Sequence, residues 1–359
     1  MCPSRSHRHS IFCIVPPYIL TAIARNGSPQ QRDAALHTLT TDQTFRALRI
    51  SSAAQLRAAP RRLPALATEG QKQRTISSAG NQELLPGTVV RAEGASATGD
   101  AAVDEAYDGL GHTYDFFWEV LGRNSIDDEG RPLDATVHYG QAYNNAFWNS
   151  QRMVFGDGDG ELFNRFTIAL DVIGHELAHG VTEDEAQLAY FLQSGALNES
   201  MSDVFGSLIR QRVLGQTAEK ADWLVGAGLF TGNVQGEALR SMRAPGTAFD
   251  DPVLGKDPQP GHMQDFVRTT DDNGGVHINS GIPNRAFHLA AMALGGHAWE
   301  RAGRIWYETL RHSGLRPNTG FRRFAGLTVE VAGRLHGAGS TEQRAVGDAW
   351  AEVGVIETA

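Results

Sequence analysis

The spacing of apolar residues changes character near the middle of the chain. Val103 to Leu121 repeats them at helical spacing, predicting an amphipathic helix, whereas ATVHYG (135–140) alternates as a strand does and LPGTVVRAEG (85–94) reads as paired strands around a turn. Beyond Leu162 the helical period takes over. It predicts helices over 163–181, 194–214, 283–294, 301–312, 319–335 and 341–353. Mixed elements followed by a run of helices point to an α+β fold.

The leading residues form a module of their own: a His/Arg-rich start, the apolar stretch SIFCIVPPYIL, and a helical pattern around Asp33 to Arg49. Pro16-Pro17 predicts a stiff, extended segment before Tyr18. Ala, Arg, Pro and Gln then dominate between Ser51 and Ser78, the composition of an exposed and cleavable connection. Four stretches are expected: a leader over 1–55, a linker with the maturation region over 56–80, a β-rich part over 81–181, and a helical part over 182–359. No internal repeat is evident.

Composition narrows the class. With 359 residues, 41% hydrophobic and 20% charged, the chain can bury a sizeable core and is not disordered overall. Its net charge of −9 is unevenly spread, since residues 1–75 hold 11 Lys/Arg against 3 Asp/Glu. Either the basic leader docks on the acidic remainder, or it is an arm for another acidic partner. It lacks the interleaved aromatics that stack nucleic-acid bases, so no nucleic acid is expected. The only cysteines, Cys2 and Cys13, lie in the leader, which leaves the bulk of the chain without a disulfide framework. No window approaches the roughly 20 apolar residues of a membrane span, and Pro16-Pro17 breaks the patch at Ile11 to Val15. Neither a membrane segment nor a conventional secretory signal is expected; synthesis would be cytoplasmic, with any export by a non-classical route.

The sharpest local signal is His175-Glu176-Leu177-Ala178-His179. Ile168, Val172 and Ile173 place it on a helix with a stop at Gly180, so the two imidazoles project one turn apart and reach one ion. Glu176 sits beside that face, free to take a proton from an activated water rather than bind metal. Catalytic zinc usually takes three protein ligands. The following helix offers the third: Glu199, with Asp203 four residues on, both among Leu197, Val204, Phe205 and Leu208. Buried carboxylates need partners, which makes Glu199 the expected ligand and Asp203 the acceptor that orients His175.

HELAH followed by NESMSD, with NNAFWN before and DNGGVHINSGIPNRAFHL after, resembles the thermolysin family of zinc endopeptidases from about Pro86 onward. The leader with Pro16-Pro17-Tyr18-Ile19-Leu20 resembles the protealysin-type branch, which has a short propeptide. The resemblance implies two lobes, β-rich and helical, with Zn2+ in the cleft between them. It implies that His277 and Tyr190 point donors at the oxyanion, with Asp272 orienting His277. Asn145 and the Ala146 backbone would pair with the substrate main chain as an added strand, and Arg240 would bond a substrate carbonyl. Phe163, Phe166, Val172 and Leu239 would wall the pocket after the scissile bond, favouring a bulky apolar residue there. The family's double calcium site maps onto Asp171, Arg210, Asp222, Leu224 and Ala227; a cation and two apolar groups cannot replace oxygen ligands, so Ca2+ is not expected at that site. The loop Gly156-Asp157-Gly158-Asp159-Gly160 lacks EF-hand spacing and is read as tight turns.

The expected protein is therefore a monomeric zinc endopeptidase made as a latent precursor, its propeptide covering the cleft until cut between about Arg46 and Arg74. Cys13 as a thiolate ligand to zinc is the weaker reading beside an ordinary thiol. Two other classes compete: a catalytically silent zinc-containing interaction protein with a basic arm, and an exopeptidase, for which no anchor for a free terminus is recognisable.

Overall fold

A computed structural model describes residues 12–56 and 69–357. Cys2, the His/Arg-rich start and residues 57–68 of the expected linker lie outside them. Six strands form one sheet in the order β1-β5-β6-β4-β2-β3, namely Phe12–Cys13, Ala146–Trp148, Met153–Phe155, Leu133–Tyr139, Arg74–Gln82 and Thr88–Ala92. The outer strand β1 belongs to the leader. It pairs antiparallel with β5, Cys13 opposite Phe147.

Alternation dictates β4: Leu133, Ala135, Val137 and Tyr139 are all buried. Helix α3 (Ala101–Leu121) covers the sheet with Val103, Ala106, Leu110 and Phe117. Its start is set by Asp100, whose carboxylate accepts from the Ala102 and Val103 amides, and its end by left-handed Gly122. The helical half follows as α4 (Leu170–Glu185), α5 (Leu192–Val213), α6 (Asp272–Asn279), α7 (Gly281–Leu294), α8 (Ala302–Leu310), α9 (Phe321–His336) and α10 (Thr341–Glu352). Among the described residues no helix is long and apolar enough to cross a membrane.

The structure corrects several expected elements. The helix over 163–181 is a short 3-10 turn at Phe166–Ile168 and then α4, which runs on through Gly180 to Glu185. Gly180 is not a stop: a Cβ there would meet Ile126 and Trp148 at 3.1 and 3.6 Å, so the glycine serves a close approach. The chain before Tyr18 is extended at Phe12–Cys13 and at Pro16, as expected, but the extension ends there. Pro16 caps helix α1 (Pro17–Asn26) and Pro17 opens it, the one turn of a helix where a missing N–H costs nothing. The next leader helix, α2, spans Pro29–Leu56, well beyond Asp33 to Arg49. Strand β2 begins at Arg74, inside the stretch assigned to the linker. Helix α6 was not expected, because Asn273, Gly274 and Gly275 at its start have positive φ.

Where α4 crosses α5, two glycines let the backbones touch. A Cβ on Gly206 would lie 2.2 Å from the Asp171 carbonyl, and one on Gly174 would meet Ile209 at 2.8 Å. The histidine motif and NESMSD are thereby pressed face to face.

On the sheet side, His138 bridges Asp157 at 2.8 Å and Asp100 at 3.0 Å. The hydrogen bond that His138 donates to Asp157, ahead of desolvation, which acts oppositely, drives its pKa up to about 9. A raised histidine pKa contributes stability that is fully present below the unfolded value near 6.5 and is lost as pH climbs through about 9. The urea midpoint is thus expected to fall between pH 6.5 and 9.5 by more in the wild type than in His138→Gln; parallel pH profiles would remove His138 from the account.

Candidate active site

Helix α4 carries His175, Glu176 and His179, all fully buried, and α5 carries Glu199 and Asp203, equally buried. Asp203 holds His175 Nδ1 at 2.8 Å, and Asn198 holds His179 Nδ1 at 2.8 Å with Ser202 at 3.0 Å. Both Nε2 atoms therefore turn inward and sit 3.1 Å apart. Glu199 closes the triangle, at 3.5 Å from each Nε2.

These residues fit a metal on two counts. Tetrahedral zinc with ligands at 2.0–2.2 Å sets them roughly 3.3–3.6 Å apart, close to the spacing observed. Without a cation, moreover, two imidazole nitrogens face each other and Glu199 Oε2 lies buried with no hydrogen-bond partner, an arrangement that costs free energy. His175, His179 and Glu199 form the candidate cation group among the described residues. Cys13 is not part of it: its side chain packs with Tyr139, Tyr143, Phe147 and Val154.

Glu176 stands outside the triangle. Oε2 accepts from the Trp148 amide at 3.0 Å while Oε1 has no partner, and burial pushes its carboxyl well above the usual range. His277 lies opposite, its Nδ1 2.6 Å from Asp272, which also accepts the His277 amide at 2.8 Å. The left-handed turn at Gly274 and Gly275 makes that bond geometrically available. Tyr190 donates to Glu199 and lies 3.1 Å from His277 Nε2. Arg240 grips Asp203 through Nε at 2.9 Å and Nη2 at 2.8 Å. Phe163, Phe166, Val172 and Leu239 are all fully buried, and the Phe163 and Phe166 rings stack at 5.7 Å.

The leader occupies this cleft. Ile14 N–H donates to the Ala146 carbonyl at 3.2 Å, Val15 N–H to Asn145 Oδ1 at 2.9 Å, and Arg240 Nη1 to the Ile14 carbonyl at 3.1 Å. From α2, Thr38 receives the Asn144 amide at 3.1 Å and Asp42 receives Asn145 Nδ2 at 2.9 Å.

Sequence reasoning brought together every residue of the cation triangle. It missed Asn198, Ser202 and Asn284, the last of which donates to Asp203 at 2.8 Å. Asn198 and Ser202 had a signal, flanking Glu199 in NESMS; Asn284 lies within the motif DNGGVHINSGIPNRAFHL, but its contact with Asp203 comes from α7, 81 residues away. Thr38 and Asp42 were also missed, as polar residues on a helix face usually meet solvent. Elsewhere, Arg210 forms a two-pronged pair with Asp222 at 2.8 Å and reaches within 4.0 Å of Asp171, whose carboxyl burial pushes up to about 6. Asp159 Oδ1 accepts the amides of Glu161, Leu162 and Phe163 at 2.7–3.0 Å, the expected tight turn.

Comparison with known proteins agrees with this geometry. Residues 37–183 match the family model described as "Thermolysin metallopeptidase, catalytic domain", 186–355 its "alpha-helical domain", and 13–40 "Protealysin propeptide". The chain is 57% identical to the "Extracellular metalloprotease" of Pectobacterium carotovorum subsp. carotovorum over 346 residues, covering 96% of both chains. It is 50% identical over 344 residues to "Protease PrtS" of Photorhabdus sp. (strain Az29), covering 95% of this chain and 91% of that one. The solved structure titled "Precursor of Protealysin, Metalloproteinase from Serratia proteamaculans" is similar with a TM-score of 0.88 at 55% identity, over 96% of this chain and all of that one.

Proposed function

The chain belongs to the thermolysin metallopeptidase family, with a protealysin-type propeptide, and from that premise we propose which residues perform the hydrolysis. His175, His179 and Glu199 hold zinc, which when bound supplies Lewis acidity toward a peptide carbonyl and toward water. Glu176 is the general base. Its carboxyl group is fully buried, with one oxygen anchored by the Trp148 amide and the other uncommitted, which leaves that oxygen free to take a proton. His277, held by Asp272, and Tyr190 donate to the developing oxyanion. Asp203 fixes the ring of His175 and simultaneously neutralises Arg240.

Substrate binds as an added strand against β5, with Asn145 and the Ala146 carbonyl taking its amides and Arg240 its carbonyl. The observation that carries this reading is the leader itself, which makes those same three main-chain bonds. The walls at Phe163, Phe166, Val172 and Leu239 favour a bulky apolar residue after the cut. The leader over 1–55 is the intramolecular inhibitor, the linker from 56 up to the start of β2 at Arg74 carries the maturation cut, and the sheet-bearing part up to 181 and the helical part over 182–359 are the two lobes. The monomer is the working unit, and by likeness to relatives named extracellular, the enzyme acts outside the cell. Once the leader is removed by limited proteolysis, the enzyme is expected to cleave an internal Gly-Leu peptide and not its Gly-Gly counterpart, and o-phenanthroline should abolish the cleavage. Cleavage at equal rates of both peptides would remove the assigned pocket.

No Ca2+ is assigned to the site around Asp171, because the Arg210 guanidinium stands between Asp171 and Asp222 and meets the carboxylate that a cation would use. EGTA is expected to leave the thermal midpoint unchanged, and a calcium-dependent rise in that midpoint would contradict this assignment.

A further inference from the structure

We infer that the Cys13–Ile14 peptide bond is a cleavage site of this enzyme in its own leader, presented to the catalytic groups in the direction and register of a substrate. The inference rests on the roles proposed above for His277, Asn145 and Arg240. In peptide hydrolysis the oxygen that becomes the oxyanion and the nitrogen that leaves belong to one peptide bond. The cleft marks both. The Cys13 carbonyl oxygen lies 3.2 Å from His277 Nε2, and the Ile14 nitrogen donates to the Ala146 carbonyl at 3.2 Å.

The next groups along the chain keep this register: Ile14 C=O accepts from Arg240 Nη1 at 3.1 Å, and Val15 N–H donates to Asn145 Oδ1 at 2.9 Å. Two independent markers, one on each side of the bond, therefore select the same peptide link. A leader lying in the opposite direction would offer no peptide bond whose carbonyl reaches His277 while its own nitrogen reaches Ala146. Antiparallel pairing of β1 with β5 fixes that direction.

Hydrolysis breaks the Cys13–Ile14 C–N bond, adding hydroxide from water to the Cys13 carbonyl carbon and the water's other proton to the Ile14 nitrogen; the proton of the new acid then passes to the amine, leaving a Cys13 carboxylate and an Ile14 ammonium group. The cut does not clear the cleft. After Val15 the chain enters α1, where Ile19, Leu20 and Ile23 are fully buried in the main core, and α2 holds the 144–145 segment through Thr38 and Asp42. The new Ile14 terminus is retained on the leaving-group side, so the cut chain stays latent until the rest of the leader is removed.

The test uses the full-length precursor. Loaded with zinc and quenched in denaturant over time, it should yield by intact mass a chain beginning at Ile14, at a rate independent of protein concentration. Ile14→Pro, which deletes the N–H given to Ala146, should slow that cut by about tenfold or more, and Glu176→Gln should leave the bond intact. A second readout needs no metal: hydrogen exchange of the metal-free precursor should show the Ile14 and Val15 amides protected, Val15 less so in the Ile14→Pro variant. A precursor that stays uncut at 13–14, or is cut only elsewhere in the leader, overturns the inference when its proteolytically processed form still hydrolyses the Gly-Leu peptide. Cutting that is second order in protein, or Ile14 and Val15 amides that exchange as in a free peptide, overturns it too. If the processed form hydrolyses nothing, the functional assignment fails first and this inference falls with it.

Discussion

Glu176→Gln in the processed enzyme is expected to lower kcat for peptide hydrolysis by about 10²–10⁴-fold, the usual contribution of a positioned general base. The substitution is close to isosteric. The amide oxygen can go on accepting the Trp148 N–H that now reaches Oε2 at 3.0 Å, so the fold and its thermal midpoint should hold. Glu176 also lies outside the cation triangle, so zinc content measured on the purified variant should match the wild type. The combination of full metal occupancy, unchanged stability and lost turnover separates a proton acceptor from a ligand or a packing residue. Wild-type turnover in the variant would exclude Glu176 as the base, and loss of zinc would reassign it.

The second large effect is expected at Asp203. This fully buried carboxylate takes four hydrogen bonds: His175 Nδ1, two from Arg240 and one from Asn284, at 2.8–2.9 Å. Burial alone would raise its pKa, but Arg240 and His175 outweigh that and hold the carboxyl well below the usual range. Asp203→Ala strands the Arg240 guanidinium, itself fully buried. Removing one partner of a buried pair typically costs about 3–5 kcal/mol, because the other charge is left uncompensated. Freeing the ring of His175 should weaken metal binding by about 10–100-fold. Urea unfolding of the metal-free precursor reads the first effect, and competition with a coloured chelator the second. Asp203→Asn keeps the volume and loses the charge, so it should fall between the two in stability. A destabilisation below about 1 kcal/mol for Asp203→Ala, the level of an exposed pair, would mean that Arg240 finds another partner.

How much was legible beforehand follows from the range of the interactions concerned. His175 and His179 lie one helical turn apart, so their convergence is a local matter that spacing alone predicts. Asp272 and His277, five residues apart, were paired only by the resemblance, because the left-handed turn at Gly274 and Gly275 that joins them follows no helical period. The resemblance carried over Arg240 and Asn145, but that Arg240 would spend two of its donors on Asp203 needed the structure, because 37 residues separate them. Boundaries were less legible than existence. Helix α4 was expected to stop at Gly180, since glycine commonly marks a helix end; here it gives room to Ile126 and Trp148, which nothing nearby in sequence announces. The helix that opens at Pro17 was hidden for a similar reason. Two prolines suit an extended chain and the first turn of a helix equally well, and only the burial of Ile19, Leu20 and Ile23 against the catalytic part selects the helix.

By itself, then, the amino-acid sequence determined the residue types of the candidate metal group and their division between two helices, because imidazoles at i and i+4 and carboxylates at i and i+4 are set by helix geometry. It also determined that a basic leader precedes an acidic body. Tertiary structure alone decided how those helices meet, through the contact at Gly174 and Gly206 that turns two separate faces into one triangle. It decided as well which way the leader lies in the cleft and which of its peptide bonds faces His277. The physical reason is the same in both cases: a backbone approach of a few ångströms and a strand register depend on side chains far apart in the chain packing simultaneously, and no local period encodes that coincidence.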